Sequence, residues 1–192
     1  MPRDAQKVRR RLQEAALTLF QTRGYEQTTA ADIAAEAGVT QRTFFRHFPD
    51  KREVLFGGEA EFIDVLTKGV LSAAPGLGPW DTLLHACRTV EALFVENRSF
   101  SAPRRLIIAA NPALQERAQM KTQDVMAALA SALRQRGVAD RSANLVAHMG
   151  MAAMGHAVAV WFENGSTDLS IYIEKAFRDV HDLSAHDPAA SR

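Results

Sequence analysis

Apolar positions recur at intervals of three and four along almost the whole chain, the spacing of one buried face of an α-helix. Val8, Leu12, Ala15, Ala16, Leu19 and Phe20 form the first such stripe, and Gly24 closes it. Thr29-Ala-Ala-Asp32 has the form of a capping box, with Asp where Glu is usual. It opens a short helix through Ile33 and Ala34 to Ala37, broken by Gly38. Thr40 can cap a second short helix that carries Phe44 and Phe45 and stops before Pro49. Asp50-Lys-Arg-Glu53 repeats the capping pattern ahead of a longer helix through Val54, Leu55, Phe62 and Leu66. Ala74-Pro-Gly-Leu-Gly-Pro79 is the clearest loop. Beyond it the pattern predicts helices over 81–97, 103–110, 111–137, 140–164 and 169–183, with a frayed tail from Ser184 to Arg192. The expectation is an all-α chain of about nine helices, without a convincing strand or an internal repeat.

One stretch is more specific than its periodicity. Between Thr28 and Phe48, Ala34 is a small residue where two helices can cross steeply, and Gly38, four residues on, suits the tight turn between them. Ile33, Val39 and Phe44 then share a core. With Phe44 facing inward, the helical period turns Gln41, Arg42, Phe45 and Arg46 outward. Two arginines, a glutamine and an aromatic suit a DNA groove. Packing alone explains the inward residues and leaves the basic outward set unexplained.

The roles follow from side-chain chemistry. Gln41 and Arg42 can fork onto purine edges, a contact that discriminates by about 1–3 kcal/mol. Thr43 can meet a thymine methyl or a phosphate. His47 and Lys51 suit phosphate oxygens, and Thr29 and Thr40 stand at helix starts facing the backbone.

Charge agrees with a nucleic-acid-binding head. Net charge is +1, yet residues 1–52 hold ten Lys and Arg against six acids, and the remainder holds 13 against 16. Arg9, Arg10 and Arg11 either steer DNA or form a solvated helix face. Composition is 47% apolar, rich in Ala and poor in Ile, Thr and Tyr, which favours helix over sheet. The single cysteine, Cys87, and the charged opening MPRDAQKVRRRLQEA suit a reducing cytoplasm.

The stretch resembles the tetracycline-repressor (TetR) family of bacterial regulators. Gly24-Tyr25, Thr28-Thr29, Asp32-Ile33-Ala34, Ala37-Gly38-Val39, Thr43-Phe-Phe-Arg-His-Phe48 and Lys51 with Leu55 all fall in that family's register, over about the first 55 residues. The resemblance implies three DNA-binding helices, a connecting helix, and a divergent C-terminal domain that binds a ligand and dimerises. It gives an expected helix-turn-helix domain over 1–50 and an effector and dimerisation domain over 51–192. The family usually has tyrosine at Phe45. Phenylalanine keeps the packing against DNA sugars and loses the hydroxyl bond to phosphate.

Residues 140–164 should form a helix of about 36 Å. Ser142–Phe162 carries no acid, Lys or Arg and is long enough to span a bilayer, but its Asn, His, Gly and Ala make it a poor membrane segment. Ala147, Met151, Met154, Val158 and Phe162, with Ile173 and Phe177, are expected to form a four-helix dimer seam, with an intrachain core as the alternative. Phe62, Leu66, Leu84, Arg88, Leu106, Met126 and Met151 are expected to wall a mostly apolar effector pocket. His85, His148 and His156 make no metal-ligand spacing with Cys87, so neither metal nor cofactor is expected, and Cys87 reads as a small buried apolar residue.

These readings converge on a regulator, most naturally a repressor, that binds a palindromic operator as a homodimer and is released by a small molecule. The alternatives are a packaging protein indifferent to sequence, which the acidic remainder opposes, and a helical enzyme with an appended DNA-binding domain. No nucleophile elbow, phosphate loop, dinucleotide fingerprint or zinc motif supports the enzyme.

Overall fold

A computed structural model describes residues 3–165 and 168–185. Residues 186–192 of the expected frayed tail lie outside the described residues. Ten α-helices and one 3-10 turn make up the described chain. They are α1 (Arg3–Arg23), α2 (Ala30–Glu36), α3 (Gln41–His47), the 3-10 turn Glu53–Phe56, α4 (Glu59–Ser72), α5 (Pro79–Thr89) and α6 (Glu91–Glu96). Then follow α7 (Arg98–Ala109), α8 (Pro112–Gln135), α9 (Asp140–Asn164) and α10 (Ser170–Ala185).

The nine expected segments are all helical, with two interruptions. Asp50 does receive the Arg52 and Glu53 amides, at 2.7 and 3.1 Å, but the turn it starts is 3-10 and ends at Gly57-Gly58. Gly58 has φ +96°, a left-handed conformation that stops a helix, so α4 begins only at Glu59. The expected 81–97 helix is broken at Val90 into α5 and α6.

The chain folds as two compact units. The first joins the chain up to Glu59 with Asn97–Met120, and the second joins Ala60–Glu96 with the chain from Lys121 onward. The boundary expected at residue 50 therefore shifts, because packing follows burial and not chain order. Val54 and Leu55, beyond that boundary, are wholly buried among Leu12, Ala16, Ile33, Phe44 and Phe48, and Ile107 and Leu114 join the same core. Arg104 donates to the Leu55 carbonyl, and Arg117 pairs with Glu53 at 2.5 Å, fixing α7 and the start of α8 within this unit.

In the second unit α4, α5, α8, α9 and α10 surround Leu66, Leu83, Cys87, Leu129, Leu133, Trp161, Ile173 and Phe177. Small residues set how closely these helices approach. A Cβ on Gly69 of α4 would lie 2.8 Å from the Ala86 Cα of α5, and Gly150 of α9 backs directly onto the Leu83 side chain. The Trp80 ring packs on Phe177 with centroids 4.5 Å apart. Burial pushes the Cys87 thiol up to about 12, so the residue acts as core.

Four of the seven residues expected at the dimer seam are claimed by this core instead. Ala147, Met154, Ile173 and Phe177 are buried inside their own chain, where the small residues of α9 let α5 and α10 close on it. Met151, Val158 and Phe162 are partly buried against the same core. The open face of α9 is a different row: Leu145, His148, Ala152, Gly155 and His156. α9 is long and apolar enough to cross a membrane by length and composition, yet its inner face forms this core.

Gly69→Ala should destabilise the protein by about 1–3 kcal/mol, since the neighbour in its way is backbone and cannot swing aside. Thermal or urea unfolding of the purified variant checks this.

Candidate nucleic-acid interface

Two seven-residue helices, α2 and α3, carry the site, and each is started by a threonine. The Thr29 hydroxyl accepts the Asp32 amide at 3.1 Å and donates to the Asp32 carboxylate at 2.6 Å, and that carboxylate also receives the Thr29 amide at 2.9 Å. These bonds hold the Asp32 carboxyl below its ordinary range. The capping box read from the sequence is thus formed. Thr40 likewise caps α3, accepting the Thr43 amide at 3.2 Å, with the two threonine hydroxyls 3.1 Å apart. Thr29, Thr40 and Thr43 are thereby occupied in starting helices, where the sequence suggested DNA contacts.

Between the helices, Gly38 has φ +65°, the left-handed turn that the motif requires. Ile33 and Ala34 are buried under α3, and Phe44 is wholly buried, in ring contact with Phe45 and Phe48. That anchor fixes the rotation of α3. Gln41, Arg42, Phe45 and Arg46 are exposed, Phe45 by 49%, and edge-on packing against Phe44 steadies its ring. The outward row matches the one expected from the helical period.

The remaining basic residues divide unexpectedly. Lys51 turns inward: its ammonium donates to the carbonyls of Tyr25, Thr28 and Glu26 at 2.9, 3.2 and 3.5 Å and lies 4.2 Å from the Tyr25 ring centroid. Three N–H groups meet three carbonyls of the α1–α2 link, so the expected phosphate contact gives way to a structural tie. His47 is half-buried, with its Nε2 buried and without a hydrogen-bond partner. Burial first, then the charges of Arg46 and Arg9, lower its pKa. With Nε2 buried, that ring nitrogen is not open to a phosphate.

In α1, Arg9 donates to the His47 carbonyl at 3.2 Å, and its guanidinium lies 4.4 Å from the Phe48 ring centroid. Arg11 donates to the Ala37 carbonyl. Arg10 pairs with Glu14 on the surface, at 3.1 Å. The partners of Arg9 and Arg11 lie 38 and 26 residues away, so no local pattern separates these two from Arg10.

The expected effector residues are not all together. Leu66 is buried in the core of the second unit, Phe62, Leu84 and Met151 pack partly buried against that same core, and Met126 is buried in that unit as well. Phe62 meets Phe94 edge-on at 5.9 Å. Arg88 lies apart, in an open polar cleft with His85, Thr89, Glu91 and Ser170, and pairs with Glu174 at 3.2 Å. Leu106 belongs to the first unit and is 72% exposed, so it drops out of the set. It carries an apolar side chain at helical spacing, and spacing alone does not say which face meets a core.

Comparison with known proteins agrees with this geometry along the chain. Residues 12–56 match the family described as bacterial regulatory proteins, tetR family, and residues 77–184 match the MftR C-terminal domain. The regulator TcmR of Streptomyces glaucescens is 48% identical over 52 residues, 27% of this chain and 23% of its own length. A transcriptional regulator from Pseudomonas aeruginosa PAO1 superposes with a TM-score of 0.65 at 20% identity, covering 96% of this chain and 93% of that one. Thermus thermophilus FadR, a repressor solved with lauroyl-CoA, superposes at 0.51 with 26% identity, covering 88% and 91%. With one domain match spanning the helix-turn-helix and the other more than half of the chain, this protein belongs to the TetR family of bacterial regulators.

Proposed function

We propose that this chain is a transcription regulator, acting as a repressor in the cytoplasm, that binds a near-palindromic operator as a homodimer and leaves it when a small, mostly apolar effector binds. The observation that carries the DNA-binding reading is the exposed row Gln41, Arg42, Phe45 and Arg46 on a helix whose rotation is fixed by buried Phe44. Arg42 and Gln41 read base edges, Arg46 meets phosphate, and Phe45 packs on sugars or a thymine methyl. Two such helices on a two-fold dimer meet half-sites about 34–36 Å apart. The family's regulators support a binding role over an enzymatic one.

The effector enters among α4, α5, α8 and α9, beside Phe62, Leu66, Leu84, Met126 and Met151, where an aliphatic chain replaces side-chain contacts. The Thermus relative was solved with lauroyl-CoA, whose acyl chain supports an aliphatic occupant here, and lauroyl-CoA is the first probe to try. Its release of DNA requires that it bind one state of the protein more tightly than the other. The second copy docks on the open row of α9, where a Cβ on Gly155 would meet, among the described residues, nothing within 4 Å beyond its chain neighbours and the adjacent backbone of its own helix.

A pool of random duplexes titrated with the protein at fixed salt should yield an enriched near-palindrome in a complex of dimer mass. Salt-sensitive binding with no enrichment would leave the fold intact and refute the operator-binding role. Arg42→Ala should relax the sequence preference while binding to random DNA largely survives. Lys51→Met should instead lower stability by about 1–3 kcal/mol and leave the salt slope of DNA binding unchanged; a slope smaller by about 0.9 would return Lys51 to the phosphate contacts. Gly155→Ala removes a helix-interior glycine, so the chain alone should gain up to about 1 kcal/mol. The dimer should nevertheless weaken, measured by sedimentation over a dilution series.

A further inference from the structure

The run Arg9-Arg10-Arg11 looks from its sequence like a steering patch for DNA, but two of its three members face the protein. α3 is seven residues long, and its last carbonyls have no partner within the helix. Arg9 supplies one, donating to the His47 carbonyl at the C-terminal end of α3 while its planar head lies over the Phe48 ring. Arg11 does the same for α2, donating to the carbonyl of its C-cap residue Ala37. Each places a cation at the negative end of a helix dipole. The turn accommodates this: a Cβ on Gly38 would come 2.8 Å from the Arg11 Nη2, so Gly38 serves the left-handed turn and also leaves room for the guanidinium. Arg10, between them and open to solvent, makes no such bond to α2 or α3.

We propose that Arg9 and Arg11 are positioning residues for operator recognition, clamping the C-terminal ends of α3 and α2 to α1 so that Arg42 and Gln41 meet base edges in one fixed register, and that neither touches DNA. The N-terminal end of α3 is held by the Thr40 cap and its middle by Phe44. Arg9 is the polar tie at its far end, beside the buried Phe48 ring. Without it the helix remains seated on Phe44 but tilts about that ring, and base contacts suffer before phosphate contacts do. Lysine at position 9 would offer a single point donor, without the spread of N–H groups that lets the guanidinium reach the His47 carbonyl while its central carbon stays over the Phe48 ring. A phosphate contact, by contrast, accepts lysine as a point charge.

Arg9→Lys is therefore the deciding variant. Affinity is measured for the duplex that the wild-type protein enriches and for a random duplex, across a series of salt concentrations, and amide hydrogen exchange is followed in the DNA-free protein. The expected result is a fivefold or greater fall in the ratio of the two affinities, an unchanged salt slope, and faster exchange over Phe44–Phe48. Wild-type ratios with wild-type exchange would overturn the proposal. So would Arg9→Ala losing equally on both duplexes with a slope smaller by about 0.9, the signature of a lost phosphate contact. The exchange arm needs no operator, so it stands even if no sequence is enriched. Should Arg9→Lys fail to fold by circular dichroism, Arg11→Lys carries the same test over Ala34–Val39.

Discussion

Two helices of seven residues cannot persist by themselves in water, because nucleating a helix costs more than so few hydrogen bonds return. Everything the DNA-binding unit does depends on how α2 and α3 are held by what surrounds them. The main tie is Phe44, wholly buried and packed against Phe48, with Ile33 and Ala34 beneath it. Burying such a ring contributes on the order of 1.5–3 kcal/mol. It also sets the rotation of α3, so the outward direction of Gln41, Arg42, Phe45 and Arg46 follows from one buried aromatic.

Polar ties finish what the ring begins, and they are assigned to ends. Threonines 29 and 40 satisfy the starts of α2 and α3, and arginines 11 and 9 satisfy their finishes. Lys51 closes the link between α1 and α2 with bonds to three carbonyls. A unit of this size has few apolar residues to bury, and cations on carbonyls add rigidity where there is no room for more core. The outward row is left to the groups that recognition needs.

The second unit works by a different constraint, the approach of helices through small residues. Gly69 against Ala86 and Gly150 against Leu83 bring α4, α5 and α9 close, and alanines fill much of the remaining inner face. Larger groups such as Phe62, Leu84 and Met151 lie around this seam, partly buried. A close-packed seam thus lies beside longer side chains, of which methionine and leucine repack at modest cost.

The helical segments, the turn at Gly38 and the outward row on α3 were legible in the sequence because each is local. Periodicity of three and four, a capping threonine and a glycine with φ +65° are properties of neighbouring residues. So was the family, whose register is carried by a short, continuous stretch. The fates of Lys51, His47, Arg9 and Arg11 were not legible, because a cation on a surface helix looks the same whether it faces phosphate or a carbonyl 38 residues away. The same holds for Ala147, Met154, Ile173 and Phe177, apolar at helical spacing and claimed by their own chain, and for Leu106, apolar yet open to solvent. Period says which residues share a face, and only tertiary packing decides what that face meets. Sequence determined the helices and which face of α3 turns outward. Tertiary structure decided which charges remain free to reach it, because long-range burial has no local signature.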